Sequence, residues 1–132
     1  MLVVGGGILI LETDGAKPIY VQIAEWLETE ILNGNFITDQ KVFSQYQLAE
    51  IFNINPATAA KGLTLLVEDQ VLYKKRGLGM FVTGEAKAII LTKRKEHTLK
   101  RLVSELVAEA EQLNVDFNEL ITMLKEASNR GE

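Results

Sequence analysis

Residues 73–82, YKKRGLGMFV, hold the densest chemistry in the chain. Lys74, Lys75 and Arg76 are three consecutive cations, and Gly77 and Gly79 follow them as Gly-x-Gly. Fixed positive charges beside a turn that glycine makes easily are suited to gripping a polyanion, not to making or breaking bonds. The Gly-x-Gly is no phosphate-binding fingerprint, because no helix opens directly after it. The rest of the sequence supplies no catalytic set. There is no cysteine, and the one histidine, His97, sits in the basic run KRKEH and reads as a solvated helix residue. Disulfides and Cys-based zinc sites are excluded, and no Ser/His/Asp set, metal cluster or phosphate loop is present. The paired acids Glu68 and Asp69 read as a solvated helix end. The expectation is a protein that is not an enzyme and takes no metal or other cofactor.

The cations are unexpected in an acidic chain of formal net charge −4. Residues 1–54 carry 2 basic and 7 acidic groups, residues 55–101 carry 10 and 4, and residues 102–132 carry 2 and 7. The segments are therefore −5, +6 and −5. A basic centre between acidic flanks sets a local field that a polyanion can read, whatever the total. Lysines and arginines that merely solvate exposed faces would give the same count, so the elements have to decide.

Those elements are legible. In KPIYVQIAEWLETEILNGNF, Ile19, Ile23, Leu27 and Ile31 recur every four residues, with Pro18 at the front and Gly34 behind, which predicts a helix of about four turns buried on one face. Tyr20 and Trp26 read as core or interface. Ser44 with Gln47 is a capping box opening a short helix with Leu48, Ile51 and Phe52 inward. Asn55 as N-cap and Pro56 at the first position open the next, with Leu63, Leu66 and Val67 inward. Ala57, Thr58, Ala60, Lys61 and Thr64 line its other side. Two short helices joined by about three residues are the helix-turn-helix geometry, and a small, polar outer face lets a second helix enter a major groove. An ordinary helical hairpin shares those small residues. VLYKK and MFVT around RGLG then read as a hairpin with cations at its tip, which makes the whole a winged helix-turn-helix.

Towards the N-terminus, Met1–Gly7 reads as a flexible extension and ILILE as a short strand; the apolar run lacks a basic lead and is too short to span a bilayer. From about Glu85 the chain is helical without Pro or Gly. Leu99, Leu102, Leu106, Ala110 and Leu113 follow steps of three and four. Asp116 and Glu119 form a second capping-box pattern, with Val115 and Leu120 placed as a staple, before Phe117, Leu120, Ile121 and Leu124. Two helices with one apolar stripe each are best buried against a second copy, so a homodimer is expected; packing back on the winged part is the alternative. The division expected is 1–16 extension, 17–84 winged DNA-binding domain and 85–132 dimerisation tail.

Residues 17–84 resemble the winged N-terminal domain of the GntR family of bacterial transcription regulators. PIYVQI, the Gly after the first helix, the Leu48-Ala49 pair and the Gly-x-Gly-x-Phe-Val wing carry the likeness in order. The brief tail resembles the YtrA-like branch, whose members dimerise through it. The resemblance implies a cytoplasmic homodimeric repressor on an inverted-repeat operator, of an operon such as one for an ABC transporter, with room for a small-molecule effector and no membrane partner. The family's DNA-contact positions fall on Ser44, Gln45, Tyr46, Asn55, Pro56, Thr58, Ala60, Lys61, Arg76 and Gly77. To these the charge reading adds Lys74 and Lys75, and further phosphate contacts from Lys93, Arg94 and Lys95 at the start of the tail. The family often has Arg where this chain has Tyr46, Pro56 and Ala60, which implies a different reading code, or a winged protein-interaction adaptor that no longer binds DNA. Gln70 stands where Gly usually ends the recognition helix.

Overall fold

The computed structural model describes residues 2–4, 7–9, 11 and 17–130. Two compact units divide the chain after Thr92. In the first, β1 (Leu2–Val4) pairs antiparallel with β2 (Gly7–Leu9). These two short apolar strands fall within and just after Met1–Gly7, the stretch expected as a flexible extension, of which Met1, Gly5 and Gly6 lie outside the described residues. Of the expected ILILE strand, Ile10 and Glu12 lie outside the described residues. Next come α1 (Ile19–Leu32), α2 (Gln45–Phe52), α3 (Pro56–Glu68), the wing strands β3 (Leu72–Lys75) and β4 (Gly79–Val82), and α4 (Ala86–Lys93).

The expected helix starts are present atom by atom. Ser44 Oγ accepts from the Gln47 N–H at 3.1 Å, and Gln47 Oε1 accepts from the Ser44 N–H at 2.8 Å. Asn55 Oδ1 accepts from the Ala57 N–H at 2.7 Å, with Pro56 at the first helical position. The apolar faces then close one core around Ile23, Leu27, Ile31, Leu48, Phe52, Leu63 and Leu66. Trp26 joins it, edge-on to Phe52 at 5.2 Å between centroids. Helix α4 contributes the buried Ala86 and Ile90 to this same core. Among the described residues no helix is long and apolar enough to cross a membrane.

Three helices end in the same way. After α1, α3 and α5 (Lys100–Gln112), a left-handed residue lets two N–H groups reach back to the last carbonyls: Gly34, Gln70 and Asn114 hold φ of 82°, 65° and 59°. Gln70 therefore takes the glycine-like conformation and bears its cost. Its carbonyl is held by Thr83 Oγ at 2.8 Å. Left-handed backbone costs a residue with a Cβ about 1 kcal/mol, so Gln70→Gly is expected to raise unfolding free energy by roughly that amount in a urea titration. An unchanged midpoint would show that the turn is strain-free.

In the second unit, a π-helical segment (Arg94–Leu99) leads into α5, and α6 (Phe117–Arg130) follows. The sequence suggested one regular helix from Glu85. The wider turn at Arg94–Leu99 has no Pro or Gly to announce it. Asp116 Oδ1 caps α6 through the Glu119 N–H at 2.8 Å.

Candidate nucleic-acid interface

The wing is built from three segments. β3 and β4 pair Leu72↔Val82, Tyr73↔Phe81, Lys74↔Met80 and Lys75↔Gly79. Residues 39–42 add a third edge: Asp39 N–H donates to Val82 O, Val82 N–H to Gln40 O, and Val42 N–H to Met80 O, with Lys41 opposite Phe81. Strand alternation then separates the cations. Lys74 shares a face with Leu72, Met80 and Val82, the side turned to the helices. Lys75 lies on the other face with its ammonium 4.9 Å from the Phe81 ring centroid. Arg76 and Gly77 form the tip, where Gly77 holds φ 78°. The three consecutive cations are thus one on each face and one at the turn.

The inner face meets the start of α2. Ser44, Gln45, Tyr46, Lys74, Gly79 and Lys41 line one concavity of about 180 Å³. Tyr46 stands out from it, 70% exposed. On α3, Ala59, Gly62, Leu63 and Leu66 are buried, which turns Asn55, Pro56 and Lys61 outward and leaves Thr58 and Ala60 half-buried. Lys61 is not loose: its Nζ rests 4.3 Å over the Tyr20 ring, an attraction that holds the ammonium at the rim of α3.

Lys41 is the residue that sequence reasoning passed over. It lies in the stretch between two helices, and only the pairing with β4 brings it to the wing. Its side chain runs over Gly79, where an added Cβ would fall 2.8 Å from Lys41 Cε. The signal available was small: a cation directly before the capping-box segment. Beside it, the Tyr73 hydroxyl donates to Asp39 Oδ1 at 2.7 Å, and that bond is the main reason the phenol is held above its usual ionisation range. Among the described residues no group of three or more His, Cys, Asp or Glu could hold a metal ion.

This architecture defines a winged helix-turn-helix protein: two capped short helices, an outward small-residue second helix, and a cation-tipped hairpin. No family model matches the chain. It is 41% identical over 66 residues to the transcriptional repressor NagR of Bacillus subtilis, which covers 50% of this chain and 27% of that protein. The match therefore spans about a quarter of that relative. The chain is 27% identical over 118 residues to the transcriptional repressor YtrA of the same organism, covering 89% of this chain and 90% of YtrA, so the tail is included. A solved GntR-family regulator from Bacteroides thetaiotaomicron superposes with a TM-score of 0.72 at 30% identity, over 87% of this chain and all of that one. The chain belongs to the GntR family of helix-turn-helix transcriptional regulators.

Proposed function

We propose that the protein is a homodimeric repressor that binds an inverted-repeat operator in the cytoplasm. The observation that carries this reading is the shared concavity of Lys41, Ser44, Gln45, Tyr46 and Lys74 beside the exposed side of α3. In the proposed complex α3 enters the major groove, with Asn55, Pro56, Thr58 and Ala60 close to the bases. Ser44, Gln45 and Tyr46 approach the adjoining backbone, and Lys41, Lys61 and Lys74 neutralise phosphates. Arg76 and Gly77 reach the flank, and Lys75 swings from Phe81 to join them. Small residues at Pro56 and Ala60 make reading depend on close approach rather than on the bidentate Arg contacts that discriminate bases by ~1–3 kcal/mol each.

The tail supplies the second half-site. Leu99, Leu102, Leu106, Leu113, Phe117 and Leu124 are 38–73% exposed, and of the seam and α6 stripe only Ala110 and Leu120 are buried, with Ile121 half-covered. So much exposed apolar surface on two short helices supports burial against a second copy. The division of labour follows: residues 17–84 read DNA and the tail from 85 onward pairs the chains. An operon for an ABC transporter is the target class that the YtrA likeness favours.

The test is fluorescence anisotropy on the DNA upstream of the protein's own gene against a scrambled duplex, at two salt concentrations. Preference for the upstream duplex and affinity falling with salt are expected. Arg76→Ala should weaken binding about tenfold and reduce the slope of log affinity against log salt by about 1. No binding at low salt would replace this reading with a protein-interaction adaptor.

A further inference from the structure

The winged unit holds a second and larger concavity, of about 460 Å³, with Glu30, Phe36 and Phe43 inside and Asn35, Gln40, Lys41 and Gln47 around it. Of these residues only Lys41 has a part in the proposed DNA contacts. Its floor is unusual in charge. Glu30 is only 3% exposed, and its carboxylate makes one hydrogen bond, to Asn35 Nδ2 from Oε2 at 3.2 Å. No ion pair to Glu30 occurs among the described residues. Because no buried side-chain oxygen among them lacks a partner, Oε1, which has none, must open onto the cavity. A mostly covered carboxylate that faces an open cavity offers a fixed negative charge to a cation entering it. The backbone adds to this: α1 ends here, its last carbonyls gathered by the Gly34 and Asn35 N–H groups, and a helix C-terminus favours a cation. Lys41 lines the cavity but makes no ion pair with Glu30 among the described residues, its side chain lying against Gly79.

The walls say what kind of cation fits. Phe36 and Phe43, edge-to-face at 5.4 Å, offer aromatic surface that a desolvated ammonium prefers to hydrocarbon. The side-chain oxygens of Gln40 and Gln47 are engaged by the N–H groups of Ile37 and Ser44, which leaves their amide N–H groups as donors. A single carboxylate is too few ligands for a divalent metal. We infer that this cavity binds a small organic ammonium ion carrying a hydrogen-bond-accepting oxygen, with Glu30 meeting the charge and the glutamine amides meeting the oxygen.

A regulatory consequence rests on the operator-binding reading above. Gln47 is one half of the capping box that fixes Ser44, so a ligand held by Gln47 touches the start of α2 directly. If occupancy changes operator affinity, the operator changes ligand affinity by the same factor.

The site is tested first without DNA. 4-Aminobutanol at neutral pH is a protonated probe, and 1,4-butanediol is its neutral counterpart. In backbone and side-chain amide NMR spectra of the full chain, 4-aminobutanol is expected to shift Asn35, Gln40 and Gln47 saturably, and butanediol to leave them unmoved. Glu30→Gln should weaken the amine ~10-fold. Gln47→Glu keeps a competent capping box and exchanges the amide donor for a carboxylate, so it should tighten n-butylamine, an amine with no oxygen to lose, several-fold. This second variant guards against Glu30→Gln failing to fold. Equal response to amine and diol, or amine binding indifferent to both substitutions, would overturn the site while leaving operator binding untouched. Saturable amine binding with unchanged operator affinity would overturn the regulatory coupling alone.

Discussion

Leu102→Asp combined with Leu106→Asp is expected to turn the proposed dimer into a monomer and to weaken operator binding by about 10²–10⁴-fold, the factor by which a linked second site raises avidity. Both leucines lie on the same side of α5 and are 47% and 38% exposed in the single chain. Val103 and Val107 continue the surface at 52% and 41%. Each such side chain contributes about 1.5–3 kcal/mol when fully buried, and a carboxylate in its place must be desolvated as well. Exposed positions in the single chain carry little of its own folding energy, so circular dichroism should show helix content close to that of the unchanged protein. Sedimentation velocity reads the mass, and anisotropy on the operator reads the affinity. A double variant that still sediments as a dimer would move the interface off this stripe and return the alternative that the tail packs on its own chain.

Much of this was readable from short-range chemistry. Ser44 with Gln47, and Asn55 with Pro56, are satisfied by groups within three residues, so the sequence alone marks where α2 and α3 begin. The α1 stripe is a simple period of four. The features that marked the candidate interface were likewise local: charges at 74–76, glycines at 77 and 79, small residues on α3. What was hidden depends on pairing across the chain. Lys41 belongs to the wing only because residues 39–42 bond to β4, and Lys74 and Lys75 part company only once register is known. Gln70 ends α3 at φ 65°, a conformation that its side chain does not announce as glycine would. The cavity at Glu30 was invisible, because an acid inside an amphipathic helix pattern looks like one more solvated charge.

Gly62 is the other hidden constraint, and its substitution should be the most damaging to the fold. Gly62→Val is expected to lower unfolding free energy by about 3 kcal/mol, the upper part of the usual range for overpacking a core. The residue sits inside α3, where helix propensity alone would make a larger side chain favourable by up to ~1 kcal/mol relative to glycine. Packing overrides that preference. A Cβ at position 62 would stand 2.8 Å from the carbonyl oxygen of Tyr20 and 3.6 Å from Ile23 Cβ. The near atom is backbone in the first turn of α1, so it cannot turn aside as a lysine tail can. Relief requires α1 and α3 to separate, which opens the core at Ile23, Leu27 and Leu66. Gly62→Ala should show the balance of the two effects, a loss of roughly 1–2 kcal/mol despite alanine's better propensity. Urea titrations of both variants measure the losses. An alanine variant more stable than the parent would mean that the helices part without cost. Function should suffer beyond stability: α3 is the helix proposed to enter the groove, and Lys61 and Tyr20 are coupled across the same crossing. Under conditions where Gly62→Ala remains folded, its operator affinity should therefore still fall. Unchanged affinity would show that groove entry tolerates a displaced α3, and would shift the weight of recognition to the wing.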